Sequence, residues 1–115
     1  MILKIKPLSV NQVFKGKRFR TKEYDIYELQ VRSLLSKINI PNGNLSIIYN
    51  VGLSSKNGDI DNCIKPFQDI ISKYYGFNDN KIYHIEVFKS IVKKGSEFIS
   101  FELSEIEQIK KAKNL

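Results

Sequence analysis

The chain has 115 residues, 42% of them hydrophobic, and 19 Lys and Arg against 12 Asp and Glu give it a formal net charge of +7. Residues 1–115 are the length of one domain with one core, and the apolar content excludes a disordered basic tail. One cysteine and one histidine exclude a disulfide framework and a zinc cluster, and no apolar run is long enough to span a membrane, so a cytoplasmic protein is expected.

Residues 2–6 read as a short strand stopped by Pro7. The segment 7–21 has loop chemistry and carries Lys15, Lys17, Arg18 and Arg20. Thr21 has the character of a helix N-cap, with Glu23 and Asp25 in the first turn and Ile26, Leu29 and Leu34 as the apolar positions behind it. That helix must end before Pro41, which opens a Pro-Asn-Gly-Asn turn. Residues 45–53 form a largely buried strand, followed by a polar loop at 54–58. A second helix is predicted from about 60 to 74, with Ile60, Cys63, Ile64, Phe67, Ile71 and Tyr74 on one stripe and Gly76 as its stop. Residues 82–92 and 97–103 are strand-like and flank Lys93-Lys94-Gly95-Ser96, which predicts a hairpin. Ser104 and Glu107 match a capping box for a short polar helix reaching Lys113. The order is β-α-β-α-β-β-α, a single α+β domain with a mixed sheet and packed helices.

The acidic residues are unevenly placed. Four of the five aspartates, Asp59, Asp61, Asp69 and Asp79, fall within 21 residues of a basic chain. Such crowding costs repulsion unless a cation lies between the carboxylates, and hard oxygen ligands suit Mg²⁺ or Mn²⁺. The same carboxylates have a plainer reading, because Asp59 and Asp61 begin a helix, where negative charge is favoured and caps free N–H groups. Lys65 lies four residues after Asp61 and four before Asp69, so the three share one helix face. A calcium-binding EF-hand is excluded, since its glycine and glutamate positions are held by Ile64 and Ile70.

Pro7-x-Ser9-x-Asn11, Asp59-x-Asp61-Asn62-x-x-Lys65-x-x-x-Asp69, and Gly76-Phe77 with Asp79-x-x-Ile82 and Lys89 together resemble the RusA family of Holliday junction resolvases (crossover junction endodeoxyribonucleases). The resemblance covers most of the chain in the right order. It implies a small homodimeric α/β fold that binds four-way DNA junctions and cuts two opposed strands with Mg²⁺, for which Mn²⁺ can substitute. It places the metal ligands at Asp59, Asp61 and Asp79 and the essential lysine at Lys65, with Asn62 and Asp69 as secondary members of the motif. The family commonly carries an Asp-Asp pair in the last loop, and here the first of the pair is Asn78.

Lys65 has two readings, a phosphate-binding point charge and a surface ion pair with Asp61 or Asp69. Asp69 reads as a salt-bridge partner of Lys65 or Lys73. DNA contact is expected from Lys15, Lys17, Arg18 and Arg20, with Lys65, Lys56, Lys93 and Lys94 as further cations. Phe14 and Phe19 interleave with the basic loop and serve either for base stacking or for packing. His84 is expected to be structural. A homodimer would draw on Val87, Phe88, Ile91, Phe98, Ile99 and Phe101. The rival functions are a RusA-like DNA-binding module without catalysis and a protein-interaction domain.

Overall fold

The computed structural model describes residues 1–9, 11, 14–15 and 19–106, with the backbone alone at 14, 15, 19 and 20. The strands are β1 (Ile2–Leu3), β2 (Phe14–Lys15), β3 (Phe19–Arg20), β4 (Leu45–Leu53), β5 (Ile82–Ile91) and β6 (Phe98–Glu105). Two helices, α1 (Lys22–Leu34) and α2 (Ile60–Tyr75), and a 3-10 turn at Asp79–Lys81 complete the described elements. A four-stranded mixed sheet has the order β1-β6-β4-β5, and both helices contribute to the core on one of its faces. The domain is α+β, in the expected order through the last strand.

β4 is the centre of the fold. It runs parallel to β5 and antiparallel to β6, and the parallel pair needs a crossover, which α2 supplies. Its alternate residues Ile47, Tyr49 and Val51 point into the core with Ile99 and Phe101 of β6. Phe67 of α2 lies between Tyr49 and Phe101, with ring centroids at 6.1 and 5.6 Å in edge-to-face geometry. The Tyr49 hydroxyl donates to Gln68 Oε1 at 2.9 Å, so this buried pair is satisfied.

The helix boundaries follow local chemistry. Thr21 Oγ1 accepts from the Tyr24 backbone N–H at 3.1 Å, as its cap position requires. Gly76 closes α2 at φ 75°, a left-handed conformation that glycine adopts without penalty. Inside α2, Pro66 lacks an N–H, so the Asn62 carbonyl cannot receive its usual helical bond.

Four expectations are corrected. First, α1 ends before Pro41 as expected, at Leu34, but it buries Tyr24, Tyr27 and Val31 while Ile26, Leu29 and Leu34 are exposed. Two tyrosine rings reach the core where aliphatic positions were expected to. The Tyr27 hydroxyl is buried without a hydrogen-bond partner among the described residues. Burial raises its pKa, an effect the nearby Leu8 backbone partly offsets.

Second, β5 and β6 do not form a hairpin, because β4 lies between them. The chain does reverse at Lys93–Ser96, where Ser96 N–H donates to Lys93 O at 2.9 Å. Residues 92–97 then step over one strand, a distance of about 10 Å, well within the roughly 20 Å reach of six residues. Third, Ser104 and Glu105 continue β6, Ser104 opposite Ser46, so Ser104 is not an N-cap; Ile106 is helical, and residues 107–113 of the expected tail helix lie outside the described residues. Fourth, the first strand is shortened to Ile2–Leu3, and the expected loop contains a small antiparallel ladder of β2 with β3.

Candidate active site

The loop at 54–58 leaves β4 and delivers Asp59 to the N-cap position of α2, but its carboxylate makes no capping hydrogen bond. Instead it accepts from Asn62 Nδ2 at 3.1 Å. Capping therefore does not consume this acid. Asp61 follows in the first turn, exposed, with no ion pair or hydrogen bond to it among the described residues.

Lys65, one turn further on, joins two chain segments. Its Nζ lies 2.9 Å from Asp69 Oδ1 and 3.2 Å from Asp79 Oδ2, the latter on the 3-10 turn that leads into β5. The partner within the helix is thus Asp69, not Asp61. The hydrogen bond with Asp69 does most to hold the Lys65 ammonium pKa above its usual value, with Asp79 adding to it and slight burial opposing. Asn78 caps the turn, its Oδ1 accepting from Asn80 N–H at 3.0 Å, a task that an aspartate would also perform. Tertiary structure thus brings Lys65, Asp69 and Asp79 together beside the helix that begins at Asp59.

Lys89 has a role that sequence reading left unassigned. Its Nζ donates to the Gly58 carbonyl at 2.7 Å and the Lys56 carbonyl at 3.1 Å, pinning the loop that presents Asp59. A signal was present: strand alternation puts Lys89 on the same face as Ile85 and Val87, which β4 lines with core residues. Cys63, one turn into α2, is buried and donates to Ile60 O. Burial pushes its thiol pKa up, with the Asp61 charge adding to this and Lys89 opposing, so it is not an activated nucleophile. On the Asp59 side of the helix lies an open cleft of about 340 Å³.

The all-oxygen donors Asp59, Asp61 and Asp79 suit Mg²⁺ by chemistry. Their arrangement is not a finished cage: among the described residues, no three His, Cys, Asp or Glu side chains gather closely enough to hold a metal ion. Asp79 instead faces Lys65.

Lys56, Lys93 and Lys94 are exposed cations. The side chains of Lys15, Lys17, Arg18, Arg20, Phe14 and Phe19 lie outside the described residues. His84 is tied into the sheet, with Nδ1 2.6 Å from Ser46 Oγ and Nε2 3.2 Å from Glu86 Oε1. Ser46 is 0% exposed, so this Ser-His-Glu chain offers no accessible nucleophile. Of the apolar residues expected at an interface, Ile99 and Phe101 belong to the core, Val87 and Phe98 are half-buried, and Phe88 and Ile91 are exposed; Tyr83 and Ile85 of β5 are exposed as well. Among the described residues, no helix is long and apolar enough to cross a membrane.

No protein-family model matches the chain, and no curated protein matches it either.

Proposed function

We propose that this protein is a Mg²⁺-dependent, RusA-like endodeoxyribonuclease that resolves four-way DNA junctions in the cytoplasm, as a homodimer, by paired phosphodiester hydrolysis. One observation carries the reading. Lys65 and Asp79, 14 residues apart in sequence, meet at 3.2 Å on the helix that begins with Asp59 and Asp61. These are the four positions that the RusA resemblance assigns to catalysis, drawn from two separate elements.

In this reading Asp59, Asp61 and Asp79 would hold Mg²⁺, or Mn²⁺ in its place, which when bound would supply an activated water and positive charge against the phosphate. Lys65, beside Asp79 and oriented by Asp69, would place its ammonium against the charge developing on the phosphate. The basic excess of the chain attracts DNA through its phosphates.

A synthetic four-way junction incubated with and without Mg²⁺ tests the proposal. Symmetric incisions in opposed strands, abolished by chelation, are expected. The Asp79–Lys65 pairing also favours a second reading, a RusA-like DNA-binding module without catalysis; salt-dependent junction binding with no cleavage in Mg²⁺ or Mn²⁺ would establish it. Absence of salt-dependent binding would leave the protein-interaction domain.

A further inference from the structure

The cleft of about 340 Å³ beside Asp59 is built from four separate parts of the chain: the stretch after β1, the loop at 54–58, the first turn of α2 and the residue before β6. Sites of about 300–1,000 Å³ accommodate small organic groups. Leu53, Pro7 and the Cys63 side chain give it apolar wall, while the carboxamides of Asn11, Asn57 and Asn62 offer both donors and acceptors. Its formal charges are one cation, Lys6, and two anions, Asp59 and Glu97. That balance disfavours a phosphate inside the cleft and favours a neutral, flat, polar-edged group.

Glu97 narrows the choice. Ser54 Oγ donates to its Oε2 at 2.9 Å and the Gly95 N–H to its Oε1 at 2.7 Å, so the carboxylate is oriented before any ligand arrives. Each carboxylate oxygen has two lone pairs, which leaves an acceptor site on each. Its own backbone N–H and Ser54 hold its pKa below the usual carboxylate range, which keeps it an acceptor at neutral pH.

We propose that this cleft is a base-binding subsite that takes one unstacked nucleobase bearing an exocyclic amino group (adenine, cytosine or guanine) next to the phosphate to be cut. Glu97 accepts from the amino group, as acidic side chains do when they read cytosine. The asparagines meet the remaining base edge, and the cost of unstacking is least where a branched substrate already leaves bases unpaired. The inference rests on the nuclease reading of Asp59.

The test needs neither cleavage nor metal. The ¹⁵N-labelled protein is titrated with dAMP, dCMP, dGMP, dTMP and deoxyribose 5-phosphate. The three amino-bearing nucleotides should move the amides of residues 53–59, 62, 63 and 97 with about fivefold tighter binding than dTMP, the ratio given by one net hydrogen bond of about 1 kcal/mol. Deoxyribose 5-phosphate should leave these amides unmoved, and Glu97→Gln should bring dTMP level with the other nucleotides. Equal shifts with the sugar phosphate, no shifts in these segments, or no preference over dTMP would each overturn the proposal. Junction cutting without nucleotide shifts would sink the cleft alone, and nucleotide binding here without cutting would sink the nuclease alone.

Discussion

Replacing Lys65 by alanine separates the two roles this side chain can have. Its pairs with Asp69 and Asp79 are short, but the lysine side chain is 57% exposed and the acids 37% and 40%. Exposed pairs contribute about 0–1 kcal/mol each. Removing the lysine also leaves Asp59, Asp61, Asp69 and Asp79 without this counter-charge. The expected loss of stability is about 1 kcal/mol, a fall of roughly 4 °C in Tm for a domain of this size. Loss of a preorganised group that stabilises transition-state charge costs about 10²–10³ in rate. Melting curves and single-turnover cleavage of a four-way junction in Mg²⁺, run on the same preparations, give both numbers. A rate within threefold of the wild type, or a fall in Tm large enough to explain the lost activity by unfolding, would refute the catalytic role.

Asp61→Asn should abolish cleavage and leave junction affinity unchanged or tighter, since it removes negative charge near phosphate; normal cutting in a gel assay would contradict the ligand role. Lys89→Met removes two hydrogen bonds to the loop at 54–58, so the Mg²⁺ concentration for half-maximal cleavage should rise several-fold while Tm falls only a few degrees. Unchanged metal titration would assign Lys89 to stability alone. Tyr27→Phe should raise stability in urea by up to about 1 kcal/mol, because it deletes a buried hydroxyl that has no partner among the described residues. Burial raises the pKa of Tyr27 and Tyr49 above their ordinary 10.0. Their unfolded forms ionise first, so the wild type should lose stability as pH rises past about 10, and Tyr27→Phe should flatten that fall.

α2 was the most legible part of the chain because several local signals agree there, an apolar stripe, an acidic first turn and a terminal glycine; of that stripe Cys63, Ile64, Phe67 and Ile71 are buried, while Ile60 and Tyr74 at its ends are exposed. α1 was legible as a helix but not in its orientation. Tyrosine is both apolar and polar, and only packing into the shared core decides that Tyr24 and Tyr27 go inward while Ile26 and Leu29 stay out. The turn at Lys93–Ser96 records that the chain reverses, but nothing local says that the returning strand passes over β4. In the candidate site, Asp61, Lys65 and Asp69 could be grouped by helical spacing. The approach of Asp79 to Lys65 could not, since it depends on the crossover through α2. Lys89 was visible as a residue, yet its carbonyl partners belong to a loop 31 and 33 positions away.

The sheet ends in two very unequal borders. Among the described residues, β5 offers ten residues along its outer ladder on one side; on the other β1 contributes two, paired with β6 at Ile99 and Ser100, so that border is notched. Head-to-tail growth would require β5 of one copy to match the notched border of the next, which supplies about 7 Å of strand. Two β5 strands running antiparallel about a two-fold axis match each other along their full length and consume both long borders at once. Pairing of two copies through β5 would thus be self-limiting at two, whereas a sheet with two long free borders would be open to fibre growth.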